Sequence, residues 1–122
     1  FQVRDDGGVA NGGVDLDATP DTITFDVAPV NDAPTGAATA ELADGAEDRS
    51  YAVSAADLLA GFTDPDGDTL GVTGLTADNG MVAPDGDGGW TITHAVDFTG
   101  EVTLSYTVSD GRGGTTTAAV TL

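Results

Sequence analysis

The sequence predicts an all-β fold, a seven-stranded antiparallel Greek-key β-sandwich. Apolar residues recur in short alternating runs, mostly of Val, Ala, Leu and Ile. Eighteen glycines, several of them in Asp-Gly pairs, separate these runs and supply turns. The runs follow one another at intervals of about ten residues, which is the spacing of short sandwich strands.

The clearest strand is predicted at residues 102–108. Val102, Leu104, Tyr106 and Val108 alternate there with Thr and Ser, so one face belongs to the core and the other to water. Shorter alternating runs predict further strands at residues 51–53, 70–75, 81–83, 90–93 and 116–122.

Local signals predict one hairpin and one short helix. Residues 84–89 read Pro-Asp-Gly-Asp-Gly-Gly, and Asp-Gly readily adopts the positive φ angles of a hairpin turn. The strands at 81–83 and 90–93 should therefore pair. Residues 54–60 predict one or two helical turns, because Ser54 can cap the start, Asp57 can complete a capping box and Gly61 can end the helix.

The beginning of the chain resembles its end. FQVRDDGG at residues 1–8 is similar to YTVSDGRGG at 106–114, and TITFDV at 22–27 alternates like TTAAVTL at 116–122. Such an internal repeat indicates a repeat array. We predict that residues 1–27 are the closing hairpin of a preceding repeat, 28–35 a linker stiffened by two prolines, and 36–122 the sandwich domain. Alternatively, residues 1–27 form an added hairpin packed on that domain.

The charge balance excludes several partners. Twenty-one acidic residues stand against three basic ones, giving a formal net charge of −18. Nucleic acid and anionic membranes attract positive charge, so neither is expected to bind, and a saline or cation-rich medium is favoured. The chain has no cysteine for disulfides or thiolate metal sites, and no apolar run near the roughly 18 residues of a membrane span. Because it starts at Phe1 without a leader, we expect it to be a piece of a longer protein.

A loop at residues 64–68, Asp-Pro-Asp-Gly-Asp, gathers three carboxylates. Asp64, Asp66 and Asp68 occupy alternate positions, and Gly67 permits a sharp bend. Calcium takes six to eight oxygens, chiefly from carboxylates and carbonyls. The loop is not an EF-hand, because Thr69 and Leu75 stand at its sixth and twelfth positions. Asp, Pro and Gly are also ordinary turn residues, so the loop alone fits a calcium site or a plain turn.

Other polar residues fall where a sandwich could bring them to the same pole. Asn31 and Asp32 lie in the linker, Glu47 precedes the strand at residue 51, and Asp110 follows the strand at 102–108. Convergence of five or more acids without a cation would cost free energy, and hard oxygen ligands favour Ca²⁺ over zinc or copper. Asp85 is assigned instead to the hairpin turn.

Three segments together carry a family resemblance. VNDAP at residues 30–34, AEDRSYAVSAADLLAGFTDPDGDTL at 46–70 and LSYTVSDGRGG at 104–114 closely resemble bacterial cadherin-like repeats of large RTX-type surface adhesins. The resemblance implies a cadherin- or immunoglobulin-like sandwich, Ca²⁺ near the joint between repeats, and adhesion or biofilm attachment. By position, it implies the metal ligands Asn31, Asp32, Glu47, Asp64, Asp66, Asp68 and Asp110. Arg49 departs from the small polar residue common there and could form a salt bridge that competes for Glu47 and Asp48.

The predicted function is that of a calcium-rigidified extender on the bacterial cell surface or in a secreted protein. We expect a monomer whose partners are neighbouring repeats of the same chain. The alternative is a calcium-dependent module that binds a glycan, a peptide or a cell-surface protein through a calcium-bridged loop or through the surface around Trp90. For Trp90 itself, packing in the core or at an edge is favoured over ligand stacking. A third hypothesis is strand exchange between chains through the leading hairpin. Enzyme activity is not expected, because His94 is the only histidine and no serine lies in a G-x-S-x-G motif.

Overall fold

The structure, a computed structural model, describes residues 1–14, 16–42 and 49–122. Its strands pair antiparallel in three sheets, ordered β1-β3, β2-β6-β5 and β4-β7-β8. No helix in this described part is long and apolar enough to cross a membrane. The elements are a 3₁₀ helix (Ala10–Gly12), β1 (Thr35–Gly36), β2 (Ser50–Ser54), α1 (Ala55–Leu59), β3 (Phe62–Thr63), β4 (Gly71–Ala77), β5 (Gly80–Pro84), β6 (Gly89–His94), β7 (Thr103–Ser109) and β8 (Thr115–Thr121).

The predicted all-β class is confirmed, with eight described strands where seven were expected. Each of the six runs predicted from alternation overlaps one observed strand, and β1 and β3 are two further strands that were not predicted. These two-residue strands are too short to show a period in the sequence. They pair at close range because Gly36 has no side chain: a Cβ there would collide with the carbonyl oxygen of Gly61.

The two larger sheets enclose one hydrophobic core. Along β7, the residues predicted to face inward are buried, while Ser105 between them is exposed. Removing each such side chain from water contributes about 1.5 to 3 kcal/mol before entropy is counted. The buried apolar side chains come from the two larger sheets, from α1 and β3, and from the residues that flank β7 and β8; they are Val53, Leu58, Phe62, Ile92, Val102, Leu104, Tyr106, Val108 and Leu122.

The predicted hairpin is confirmed. Met81 lies opposite Thr93 and Ala83 opposite Thr91 in the β5–β6 pair. Asp85 forms the turn, since its Oδ1 accepts N–H bonds from Asp87 (2.8 Å) and Gly89 (2.9 Å). The assignment of Asp85 to a turn is therefore supported by its contacts.

The predicted helix is also confirmed, together with its capping box. The Asp57 N–H donates to Ser54 Oγ (3.1 Å), and the Ser54 N–H donates to Asp57 Oδ2 (3.3 Å). At the other end, the buried Tyr106 hydroxyl on β7 donates to the Leu58 carbonyl oxygen (2.8 Å). Burial raises the pKa of this phenol, so it remains a donor at neutral pH. This bond satisfies a helix-end carbonyl and joins α1 to the sheet.

The first residues form an irregular antiparallel pair. The Asp17 N–H donates to the Val3 carbonyl and the Asp21 N–H to the Phe1 carbonyl (both 2.9 Å), and Arg4 forms an isolated bridge with Leu16. Residues 22–27, whose alternation resembles that of β8, lie in no strand, and their apolar side chains are exposed. The pairing thus involves residues 1–4 and 16–21.

We expect Tyr106→Phe to lower the free energy of unfolding by about 1 to 2 kcal/mol, because it leaves the buried Leu58 carbonyl without its donor. Urea titration followed by circular dichroism measures the change. Ser105→Ala is the matched control, since it removes a hydroxyl from the exposed face of the same strand and should change stability by less than about 0.5 kcal/mol. Equal stability of Tyr106→Phe and the parent would contradict this role.

Candidate metal centre

Antiparallel register brings three separate segments to one pole of the sandwich. Thr35 lies opposite Thr63, so the linker before β1 meets the loop after β3. Gly71 lies opposite Ser109, so that same loop also meets the β7–β8 turn. We call these parts the linker (residues 28–35), the aspartate loop (residues 64–68) and the β7–β8 turn (residues 110–114). The predicted convergence of linker, loop and turn follows from strand pairing.

The aspartate loop is folded around its first carboxylate. Asp64 Oδ1 accepts N–H bonds from Asp66 (2.9 Å) and Asp68 (3.1 Å), and Gly67 takes a positive φ of 79°. As a result, Asp64, Asp66 and Asp68 each offer an oxygen within 4.8 Å of the others. At about 5 Å, two unit charges repel by roughly 1 kcal/mol in water and about 3 kcal/mol at an effective dielectric of 20. The turn and ligand interpretations of this loop are therefore compatible, since one oxygen makes the turn and others remain available.

Two oxygens of this cluster are buried and have no hydrogen-bond partner among the residues that the structure describes. They are Oδ2 of Asp64 and Oδ2 of Asp68. A buried carboxylate oxygen normally accepts a hydrogen bond or binds a cation, because leaving it unpaired costs free energy. Beside them lies a pocket of about 310 Å³, lined by Pro29, Val30 and Asn31 of the linker and by Asp66, Asp68 and Arg112. All-oxygen donors in such a place fit a hard cation such as Ca²⁺.

The linker is fastened to this pole through four consecutive residues. The Asn31 amide donates to Asp110 Oδ2 (2.7 Å), and the Asp32 backbone N–H donates to Asp66 Oδ2 (2.7 Å). The Ala33 Cα approaches Gly114 so closely that a side chain on that glycine would collide with it. Pro34 is buried, and its carbonyl accepts a hydrogen bond from the hydroxyl of Thr116. Contacts at residues 31–34 therefore hold the linker to the pole, while residues 28–33 remain exposed.

Asp110 forms the centre of the β7–β8 turn. Its Oδ1 accepts N–H bonds from Arg112 (2.7 Å) and Gly114 (3.0 Å), and the residue is 5% exposed. The Asn31 amide is the main cause that holds the pKa of this carboxyl below its usual value; burial opposes it, and the backbone N–H groups add to the lowering. Asp110 is thus a charged acceptor shared by the turn and the linker.

Arg112 brings a positive charge to the cluster. Its Nε lies 3.0 Å from Asp68 Oδ1. The two side chains differ in exposure, 68% for Arg112 and 14% for Asp68, so water screens the pair on the arginine side. Sequence reasoning considered Arg49 as a competing cation and missed Arg112. The sequence did contain a signal for Arg112, because it stands in the turn after β7, close to the predicted ligand Asp110, and the chain has only three basic residues.

The predicted ligands occupy different places in this arrangement. Asp64, Asp66 and Asp68 come together, whereas Asp110 and Asn31 contact each other beside them. Asp32 reaches the cluster through its backbone N–H, and Glu47 lies outside the described residues. As the packing interpretation expects, the half-buried Trp90 lies against the core.

Comparison with known proteins agrees with this architecture. Residues 30–122 match the family model described as Cadherin-like domain. No curated protein and no solved structure matches the chain. The match starts at the linker, includes every strand described above and covers three quarters of the sequence. The chain therefore belongs to the cadherin-like domain family and contains an adhesion-type repeat.

Proposed function

We propose that this chain is a calcium-binding cadherin-like repeat of a bacterial surface adhesin, which acts as a calcium-rigidified extender. The observation that carries the proposal is the aspartate loop: its three carboxylates each offer an oxygen within 4.8 Å of the others, and two of their oxygens are buried without a hydrogen-bond partner in the described part of the chain. The same loop holds the linker through Asp66. A cation held here would thus act on the joint that leads into the domain.

Asp64, Asp66 and Asp68 would hold Ca²⁺, which supplies two positive charges among three negative ones. Asp64 positions the loop because its Oδ1 accepts the N–H groups of Asp66 and Asp68. Asp68 would contribute its buried Oδ2 to the ion. Asp66 can serve both the ion and the linker, because its Oδ2 accepts the Asp32 N–H. Reduced repulsion in the loop would therefore stabilise the docked linker.

The extracellular, bacterial and RTX-type assignments are proposals that rest on composition and resemblance. A net charge of −18 suits a medium that supplies cations, and the lack of cysteine leaves the domain without disulfides. Cations would then provide the stiffening that cross-links provide in other secreted domains. Adhesion or biofilm attachment follows from the likeness to adhesin repeats.

We also propose that residues 1–27 are the end of a preceding repeat. Phe1 and Val3 align with Tyr106 and Val108, yet they are 62% and 57% exposed whereas Tyr106 is 3% exposed. Asp5 repeats the turn of Asp110, since its Oδ1 accepts the N–H two residues later, that of Gly7 (2.9 Å). This apolar face would be covered by the other strands of its own sandwich, and neighbouring repeats would be the partners.

Calcium should raise the melting temperature of the parent by roughly 10 to 20 °C at a concentration 100 times the dissociation constant, compared with chelator, because the ion binds the folded state. Differential scanning calorimetry measures the shift. Asp66→Asn should remove most of it, since it deletes one ligand charge while keeping an acceptor for the Asp32 N–H.

Asp87→Asn is the matched control. Asp87 occupies the equivalent position in the β5–β6 turn, where its N–H donates to Asp85 as that of Asp66 donates to Asp64. This variant changes the net charge equally and should retain the full calcium shift. An unchanged melting temperature of the parent in calcium and in chelator would refute the proposed function.

Asp110 should contribute stability that is lost in acid. Its folded-state pKa is lowered, so its contribution is complete above the unfolded value of about 3.9 and disappears as pH falls through the folded value. The stability difference between the parent and Asp110→Asn should therefore be largest near pH 6 and shrink below about pH 4.

Urea titrations in chelator at constant ionic strength measure this difference. The control is Ser109→Ala, which removes a bond to the Gly111 N–H in the same segment without removing a titrating group. Its effect should not depend on pH. A parent-to-Asp110→Asn difference that stays constant from pH 6 to 3 would refute the role of the ionised carboxylate.

Residues 1–27 should be able to replace the last hairpin. In a chimera that joins residues 36–105 directly to residues 1–27, Phe1 and Val3 take the places of Tyr106 and Val108. It should unfold cooperatively in urea, less stable than residues 36–122 because Phe1 lacks the hydroxyl that reaches Leu58. Residues 36–105 alone, the control, should not unfold cooperatively. A chimera that behaves like this control would disprove the assignment.

A further inference from the structure

Arg112 connects the β7–β8 turn with the aspartate loop. Its backbone N–H donates to Asp110 Oδ1 (2.7 Å), so its position is fixed by the carboxylate that also holds Asn31 of the linker. Its side chain extends to the aspartate loop, where Nε contacts Asp68 Oδ1 (3.0 Å). The same side chain lines the pocket between the linker and the loop.

We propose that Arg112 is an internal counter-cation that tunes calcium affinity. In the calcium-free state it neutralises part of the charge of the aspartate loop and holds Asp68 in place; when the loop holds calcium, Arg112 opposes the ion. This inference rests on the proposed function. The role of Arg112 is the opposite of that of a metal ligand, because its charge stabilises the calcium-free form and weakens calcium binding.

The contacts of Asp68 allow both states. Its Oδ1 is paired with Arg112, while its buried Oδ2 has no hydrogen-bond partner within residues 1–14, 16–42 and 49–122, so one carboxylate offers an oxygen to each cation. The electrostatic interaction between Arg112 and a nearby divalent ion is repulsive. The two cations therefore compete for the charge of Asp68 without requiring it to change position.

The exposure of Arg112 makes this competition adjustable. With 68% of its side chain exposed, the guanidinium can turn into solvent when calcium takes over the charge of Asp68. Its backbone stays in place, because Gly111 and Gly113, with φ of 76° and 111°, and the Asp110 bonds define the turn. Salt weakens exposed ion pairs, so Arg112 should oppose calcium most at low ionic strength.

Isothermal titration calorimetry with CaCl₂ on the whole chain tests the inference. Arg112→Gln should bind calcium roughly three- to tenfold more tightly than the parent at low salt, with a smaller gain at 0.5 M NaCl. In chelator, the same variant should melt about 1 to 3 °C lower, because the loop loses its counter-charge. Arg112→Lys keeps the charge and should resemble the parent in affinity.

Arg4→Gln is the charge-matched control. It changes the net charge by the same single unit, but Arg4 lies in the N-terminal pair opposite Leu16. It should leave the dissociation constant within about twofold of the parent.

The possible results separate the two proposals. A parent that binds no calcium refutes the proposed function, and this inference with it. If the parent binds calcium but Arg112→Gln binds equally or more weakly, the proposed function stands and the tuning role of Arg112 is refuted. An equal gain in Arg4→Gln also refutes it, because the effect would then belong to net charge alone.

Discussion

The antiparallel pairing of β1 with β3 and of β4 with β7 determines where the polar chemistry of this domain lies. In each pair, one strand ends beside the start of the other, as the Thr35–Thr63 and Gly71–Ser109 pairs show. The linker, the aspartate loop and the β7–β8 turn must therefore share a pole. The core below holds this register, since a slip of one residue along β7 would turn Leu104 and Tyr106 toward water.

One local device, a turn closed by an aspartate, recurs along the chain with different consequences. Asp64, Asp85 and Asp110 each accept N–H bonds from the residues two and four positions later. The Asp85 turn closes the β5–β6 hairpin. The other two turns each use a further oxygen to bind the linker: Asp66 Oδ2 accepts the Asp32 N–H, and Asp110 Oδ2 accepts the Asn31 amide. The difference lies in the neighbouring segments, because the same residue type can close a turn alone or also receive a linker donor.

The acidic pole is a compromise between charge repulsion and hydrogen bonding. The backbone N–H groups and the Asn31 amide favour the ionised form of Asp110, and Arg112 offsets part of the charge at Asp68. Asp64 and Asp68 nevertheless keep buried oxygens to which no described residue donates a hydrogen bond. The pole thus retains unsatisfied negative charge after its own donors are used, and this excess is what a bound cation would neutralise.

The sequence by itself determined the strands that alternate, the Ser54–Asp57 cap and the Asp85 turn, because each depends on residues that are neighbours in the chain. It also identified Asp64, Asp66 and Asp68 as a cluster, since a five-residue loop brings them together wherever the loop lies. Only the tertiary structure decided that β1 pairs with β3, that Asn31 contacts Asp110, and that Arg112 rather than another basic residue faces Asp68. Asn31 and Asp110 are 79 positions apart, and the four strands β4 to β7 lie between Asp68 and Arg112 in the chain, so no local pattern encodes either contact. Such contacts arise when the packing of two sheets sets the register, and that depends on the whole core at once.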